Sequence, residues 1–167
     1  MWQITILNND KPIFKSYYYS DYDEETPLNY DLAEINYSFE NLDFNHVDFC
    51  LIELNGNNLK QLINFKYITF DDADFSNAKL TETYFNNCGL IRTRFIGTHF
   101  DKCSFVSCNF SNVIFDVIEA IECVFNNVNF TGCVCESSIF YFCKFINCTN
   151  LNAIPENCRQ HCTIINN

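Results

Sequence analysis

A large apolar residue recurs at every fifth position from Phe65 to Phe145, and this repeat restricts the fold more than any other feature of the chain. Of the 17 positions in the series, 13 are Phe and two are Leu. An earlier series lies one residue out of phase, which predicts a one-residue insertion near residues 60–64, as a bulge at a corner. That earlier series comprises Phe39, Phe44, Phe49, Leu54 and Leu59.

A period of five residues fits neither regular element of secondary structure. On an α-helix, five residues advance about 140° beyond a full turn, so the Phe column would wind around every face. On a flat strand, an odd spacing sends successive Phe side chains to opposite sides. All of them can point inward only if the backbone bends once per unit, as in a solenoid of stacked coils. Asn recurs at the second position after the centre, which supports such bends because Asn tolerates turn dihedrals.

Segments such as Ala73-Asp74-Phe75-Ser76-Asn77 and Val128-Asn129-Phe130-Thr131-Gly132 resemble the unit of the pentapeptide-repeat proteins, in which Leu or Phe occupies the centre. The resemblance covers roughly residues 37–150. It implies an all-β fold, a right-handed quadrilateral β-helix with four pentapeptides, hence twenty residues, in each coil. The chain departs from the family in preferring Phe to Leu at the centre and Cys to Ala two residues earlier.

The chain of 167 residues is long enough for one domain with a real core, divided into three segments. Residues 1–36 lie outside the repeat and read as a hairpin, with strands over 2–7 and 13–19, followed by an acidic loop over 21–31. We expect them to form an N-terminal cap, because the end of a solenoid exposes its hydrophobic interior. The β-helix is predicted over residues 37–150, and a C-terminal cap or tail over 151–167.

Eleven cysteines are present, and most of them fall on inward positions of the repeat. At twenty residues per coil they stack in columns with parallel side chains, whereas a disulfide needs Cβ atoms within about 3.5–4.5 Å and a metal site needs converging thiolates. We therefore predict that they are small core residues, while their oxidation stays open. Cys135 occupies a centre, and those two residues before a centre are Cys88, Cys103, Cys108, Cys123, Cys133, Cys143 and Cys148.

The C-terminal segment offers three potential metal ligands within five residues, in Cys158, His161 and Cys162. Structural zinc takes four ligands, and no fourth is evident, so a short cap is the preferred interpretation. The sequence contains no glycine-rich phosphate loop, and its three histidines are far apart. We expect no enzymatic activity, no cofactor and no metal site.

The formal net charge of −11 argues against direct binding of nucleic acid, which requires a basic surface. No apolar run is long enough to cross a membrane, and no basic and apolar leader resembling a signal peptide is visible. Cytoplasmic location is the resulting expectation. Asn, Ile, Phe, Tyr and Lys each outnumber Ala, Gly and Arg, which is typical of an AT-rich bacterial genome.

The excess of acidic residues supports an alternative function, which the family resemblance implies. Some pentapeptide-repeat proteins, including quinolone-resistance proteins, resemble duplex DNA in width and charge and bind type II topoisomerases such as DNA gyrase. The charge is uneven here, since residues 1–59 hold 11 acidic and 2 basic residues and residues 60–167 hold 10 and 8. The candidate acidic patch consists of Asp43, Asp48, Glu53, Asp71, Asp72 and Asp74.

A second surface feature is a set of outward apolar side chains in the C-terminal coils. They fit either ordinary β-forming residues on a flat sheet or an interface, and we favour the interface because contiguous exposed apolar patches usually mark one. The resemblance also implies that a homodimer could form through the C-terminal end. The predicted function is a non-enzymatic protein-binding or scaffold module whose partner is unknown. The candidate interface consists of Ile114, Ile121, Val134, Ile139, Tyr141 and Phe142.

Overall fold

The structure is a computed structural model that describes residues 2–8, 11–18, 37–40, 44, 49, 53–55 and 63–166. The chain begins with an antiparallel hairpin of β1 (Trp2–Asn8) and β2 (Lys11–Tyr18), whose register shifts between Ile6 and Leu7. The acidic loop predicted over residues 21–31 lies outside the described residues.

The remaining strands are short, and they pair only in parallel within the described part of the chain. Short strands follow from the five-residue unit, which leaves about three extended residues between bends. In chain order they are β3 (Tyr37–Glu40), β4 (Glu53–Asn55), β5 (Ile63–Lys66), β6 (Lys79–Thr81), β7 (Thr83–Asn86), β8 (His99–Asp101), β9 (Ser104–Val106), β10 (Ile114–Asp116), β11 (Glu119–Ile121), β12 (Val124–Asn126), β13 (Val134–Glu136), β14 (Ile139–Tyr141), β15 (Lys144–Ile146), β16 (Arg159–Gln160) and β17 (Thr163–Ile165).

These strands form a solenoid with four faces. One face is a seven-stranded sheet in the order β3-β5-β7-β9-β12-β15-β17, and another is a six-stranded sheet in the order β4-β6-β8-β11-β14-β16. A third face contains the β10–β13 pair, and a fourth is joined by isolated bridges such as Gly89 to Asn109. Partners such as Phe85 and Phe105 are twenty residues apart, so one coil holds four pentapeptides. The predicted pentapeptide-repeat β-helix is confirmed.

The insertion between the first and second coils is larger than the sequence pattern predicted. Phe39 pairs with Phe65 and Leu54 with Leu80, so these partners are 26 residues apart, six more than in the later coils. The prediction of one extra residue is therefore wrong. An insertion of one residue and an insertion of six produce the same phase shift in a five-residue period, and only strand pairing tells them apart.

The interior is filled by stacked phenylalanine rings. Along the seven-stranded face, the ring centroids of Phe85 and Phe105, of Phe105 and Phe125, and of Phe125 and Phe145 are 4.9, 5.2 and 5.0 Å apart, with rings within 10° of parallel. Rings from neighbouring faces meet edge to face, as Phe105 and Phe110 do at 5.1 Å. Both arrangements suit the quadrupole of the aromatic ring. The repeat therefore builds a core that continues from coil to coil.

From Tyr67 to Asn147, each corner of the solenoid places the second residue after the centre in the left-handed region, with φ near 55°. Its amide donates to the next coil, as Asp72 N does to Ile91 O at 2.9 Å. Asn and Gly tolerate this conformation, which confirms the turn role predicted for the repeating Asn. Large apolar or aromatic side chains also adopt it, at Tyr67, Val117 and Phe142.

The last coil is shorter and closes the C-terminal end. Two 3-10 helices, Leu151–Ala153 and Glu156–Cys158, flank Ile154, which is fully buried against the core. Beyond them β16 and β17 pair with β14 and β15 at a spacing of 19 residues, as in Phe145 with Ile164. Among the described residues, no helix is long and apolar enough to cross a membrane.

Candidate functional site

The interior holds a second ladder besides the phenylalanines, built from hydroxyl and thiol groups two residues before the centre. Thr93 Oγ1 donates to Phe70 O at 2.9 Å, and Cys133 Sγ donates to Phe110 O at the same distance. Each carbonyl belongs to the preceding coil. The cysteines that the structure describes lie in the core or pack against it, as expected, and most of them also donate to buried carbonyl groups, a role that the sequence pattern did not reveal. The thiols with such bonds include Cys88, Cys103, Cys108, Cys123, Cys133, Cys143, Cys148 and Cys162.

Most of these thiols are poor nucleophiles in this environment. Burial raises the pKa of Cys133 to about 12, and burial together with the nearby Cys158 raises the pKa of Cys135 to about 12. The adjacent thiol of Cys123 and burial raise the pKa of Cys143. A thiolate is the reactive form of cysteine, so the thiols with a raised pKa offer little covalent chemistry at neutral pH. Cys88 differs, because a hydrogen bond with the Cys108 thiol lowers its pKa.

The three potential ligands of the C-terminal segment have separate contacts. Cys158 is buried beneath the end of the solenoid, while Cys162 Sγ donates to Phe140 O at 3.2 Å. The His161 ring packs against Tyr141 and Phe142, with centroids 5.4 Å from each. Within the described residues, no group of three His, Cys, Asp or Glu side chains is placed to hold a metal ion.

The described part of the candidate acidic patch is engaged with neighbouring groups. Asp72 accepts from Arg92 Nε and Nη2 at 2.6 Å each, and Asp74 lies 3.2 Å from Arg94 Nε. Asp71 Oδ1 accepts from Ile91 N at 2.8 Å. Asp43 and Asp48 lie outside the described residues, and Glu53 is in β4.

The structure brings the six candidate interface residues onto two adjacent faces and one corner. Ile114 and Val134 are register partners in β10 and β13. Ile121 pairs with Tyr141 in β11 and β14, and Ile139 begins β14. The side chains of Val134, Ile139 and Phe142 are 46, 48 and 50% exposed. All six therefore lie within two successive coils, which we name the two-coil surface (residues 114–122 and 134–142).

Three exposed apolar residues on or near this surface were not predicted from the sequence. Val117 is 58% exposed at the corner between the β10–β13 face and the six-stranded face. Val117 is the second residue after a centre of the repeat, as Phe142 is, so the five-residue period could have identified it. Ile164 and Ile165 in β17 are 48 and 37% exposed, and the final shortened coil hid them from the twenty-residue arithmetic.

The solved structures that are similar to this chain share little sequence identity with it. The full-length structure of QnrB1, a plasmid-mediated fluoroquinolone resistance protein, matches with 17% identity and a TM-score of 0.44 over 66% of this chain and 61% of that chain. A pentapeptide-repeat protein from the cyanobacterium Cyanothece 51142 matches with 13% identity and a TM-score of 0.39 over 73% and 63%. The chain thus spans less than two thirds of the length of either protein.

Comparisons of the sequence give one negative and one positive result. A comparison with curated protein sequences finds no match. The model of one family, described as the SV2A/B/C luminal domain, matches residues 28–115, just over half of the chain and including the first coils of the solenoid. By this match, the chain belongs to the SV2A/B/C luminal domain family.

Proposed function

We propose that the protein is a non-enzymatic protein-binding or scaffold module and that it engages its partner through the two-coil surface. The observation that carries this proposal is the group of half-exposed apolar side chains on that surface, Val134, Ile139 and Phe142. Contiguous exposed apolar area is unfavourable in water, and it is usually retained where a partner covers it. In this proposal residues 37–150 form the binding rod, and residues 1–36 and 151–167 cap its ends.

The test is site-specific photo-crosslinking with the full chain. A photoreactive amino acid replaces Ile139, and the matched control carries it at Val106, which points outward on the seven-stranded face. A discrete cross-linked protein at position 139 and none at position 106 supports the proposal. Equal labelling at both positions, or none at either, contradicts it.

A second copy of the chain is one candidate partner, bound through the C-terminal end. Exposed Ile164 and Ile165 in β17 support this assignment, because β17 is the outermost strand of the seven-stranded face. Sedimentation velocity over a hundredfold range of concentration tests it. A dimer that Ile164→Ser converts to a monomer is the expected result, and a monomer throughout contradicts it.

DNA mimicry is the alternative function, with DNA gyrase or another type II topoisomerase as partner. The net charge of −11 favours it, whereas the engagement of Asp71, Asp72 and Asp74 leaves most of the unbalanced charge in residues 1–59. Titration of the protein into a gyrase supercoiling assay separates the two functions. Dose-dependent inhibition that is lost when these three Asp become Asn would favour DNA mimicry over the binding-module function.

The proposed location is a reducing compartment such as the cytoplasm. Thiols that donate to buried carbonyls lose that role when they oxidise, so the ladder described above favours reduced cysteine. The family's description names a luminal domain, and lumens of the secretory pathway are oxidising. Mass analysis after alkylation of freshly lysed cells, without reduction, discriminates between the two. Free thiols at every cysteine support the cytoplasm.

A further inference from the structure

The two-coil surface differs in charge from the coil that precedes it. Residues 114–122 and 134–142 contain four acidic residues, Asp116, Glu119, Glu122 and Glu136, and no Lys, Arg or His. The corresponding stretch of the preceding coil, residues 94–102, contains an arginine, a histidine and a lysine. Basic side chains are therefore absent from these two stretches, and the next ones along the chain are Lys144, Arg159 and His161.

Two of these carboxylates lie next to each other on the same face. Asp116 and Glu136 are register partners in β10 and β13, and like charges in directly opposed positions destabilise a sheet. Within residues 63–166 the ion pairs involve other carboxylates, such as Asp72 with Arg92 and Glu119 with His99. A cation supplied from outside would relieve the repulsion between Asp116 and Glu136.

The corners of the surface carry apolar residues at a conformational cost. Val117 and Phe142 have φ of 56° and 54°, a region that disfavours β-branched and bulky residues. The corner column of Val117 holds Asn77 and Gly97 in earlier coils, which are residues suited to that conformation. Exposed apolar groups that cost stability are retained most readily where they bind something.

From these three observations we propose that the two-coil surface binds a partner segment in which Lys or Arg alternates with aliphatic or aromatic residues. The apolar side chains of that segment cover Val117, Ile139 and Phe142, and its cations pair with Asp116 and Glu136. This inference rests on the proposed function and specifies the chemistry of the partner. A second copy of the same surface would bring carboxylates against carboxylates, so it is not the occupant.

Three labelled synthetic peptides of equal length test the chemistry against the full chain by fluorescence anisotropy. One alternates Lys with Leu, one alternates Glu with Leu, and one alternates Lys with Ser. We expect the Lys/Leu peptide to bind at least about tenfold more tightly than the other two. Glu136→Lys and Ile139→Ser should each weaken its binding about tenfold.

Matched substitutions elsewhere on the solenoid provide the controls. Glu82→Lys makes the same charge change at a corner of an earlier coil, and Val106→Ser makes a comparable apolar change on the seven-stranded face. Both should keep the affinity within about twofold of the parent protein. Asp116→Lys replaces Glu136→Lys if circular dichroism shows that the latter misfolds.

Each alternative result overturns the inference. Equal binding of the Glu/Leu peptide would mean apolar adhesion alone, and equal binding of the Lys/Ser peptide would mean charge attraction alone. A loss of affinity in Glu82→Lys as large as in Glu136→Lys would mean a response to net charge. Absence of binding by all three peptides overturns it as well, while cross-linking at position 139 in the experiment above would still support the proposed function.

Discussion

The coils formed by residues 63–102 and those formed by residues 103–166 share one interior but present different surfaces. Both contain the phenylalanine stacks and the ladder of donors to carbonyl groups. In the first group several surface charges are paired, as in Asp72 with Arg92. In the second group exposed apolar residues and Asp116 and Glu136 take their place. Inward residues thus determine the fold, while outward residues can diverge from coil to coil.

The donor ladder shows the same division at the level of chemistry. The first group uses Thr93 and Thr98 together with one thiol, that of Cys88. The second group uses mainly cysteines, such as Cys133 and Cys143. A hydroxyl and a thiol both reach the carbonyl of the preceding coil. The architecture is therefore preserved across the exchange, and the difference is confined to ionisation and redox chemistry.

The largest expected effect tests whether the interiors are equivalent. Phe95→Ala in the first group and Phe125→Ala in the second each remove a fully buried ring stacked between two others. We expect each substitution to lower the free energy of unfolding by about 3–5 kcal/mol, measured by chemical denaturation. A loss below about 1 kcal/mol at either position would show that the two interiors are not equivalent.

The glycine corners provide a smaller test of the same equivalence. Gly97 and Gly132 have φ of 67° and 69°, and a Cβ at either would collide with Oδ1 of the Asn one coil earlier, Asn77 or Asn112. Gly97→Ala and Gly132→Ala should each cost about 2 kcal/mol from left-handed strain and collision. Adding Asn112→Ala to Gly132→Ala should recover part of this loss. No recovery would mean that the collision contributes nothing.

Alkaline pH should affect the second group more strongly. The pKa of Cys133 is about 12 in the folded protein against 9.0 ordinarily, so the neutral thiol stabilises the fold fully below pH 9 and that stability is lost between about pH 9 and 12. Cys133→Ser should reduce the slope of unfolding free energy against pH by up to about 1.4 kcal/mol per pH unit. Thr93→Ser, which alters the same column without removing a thiol, should leave the slope unchanged.

The smallest expected effect is a gain in stability on the binding surface. Val117→Asn puts a residue that tolerates φ of 56° at an exposed corner, and it should raise the free energy of unfolding by about 0.5–1 kcal/mol. The same substitution should weaken partner binding. A loss of stability would show that Val117 is needed for packing within the solenoid.

The sequence predicted the inward residues of the solenoid well and the insertion poorly. The five-residue period, with the twenty-residue coil that the family resemblance implies, placed Phe65, Phe85 and Phe105 in one column, and the register confirms it. The period could not count the residues added before Phe65, because it repeats every five positions. The candidate interface residues were chosen by the same arithmetic. Val117 was overlooked, and Ile164 was not predicted because the last coil is one residue shorter than the others.

The sequence by itself determined that the chain forms a solenoid, because the backbone must bend once per unit to keep one large residue in every five inside. The twenty residues per coil came from the resemblance to the pentapeptide-repeat proteins. Tertiary structure decided which groups are neutralised and which are not. Pairing between coils brought Arg92 Nη2 to within 2.6 Å of Asp72 Oδ2 and left Asp116 directly opposite Glu136. Electrostatic and hydrogen-bond contacts depend on distances between coils of a few ångströms, and a one-dimensional period does not contain those distances.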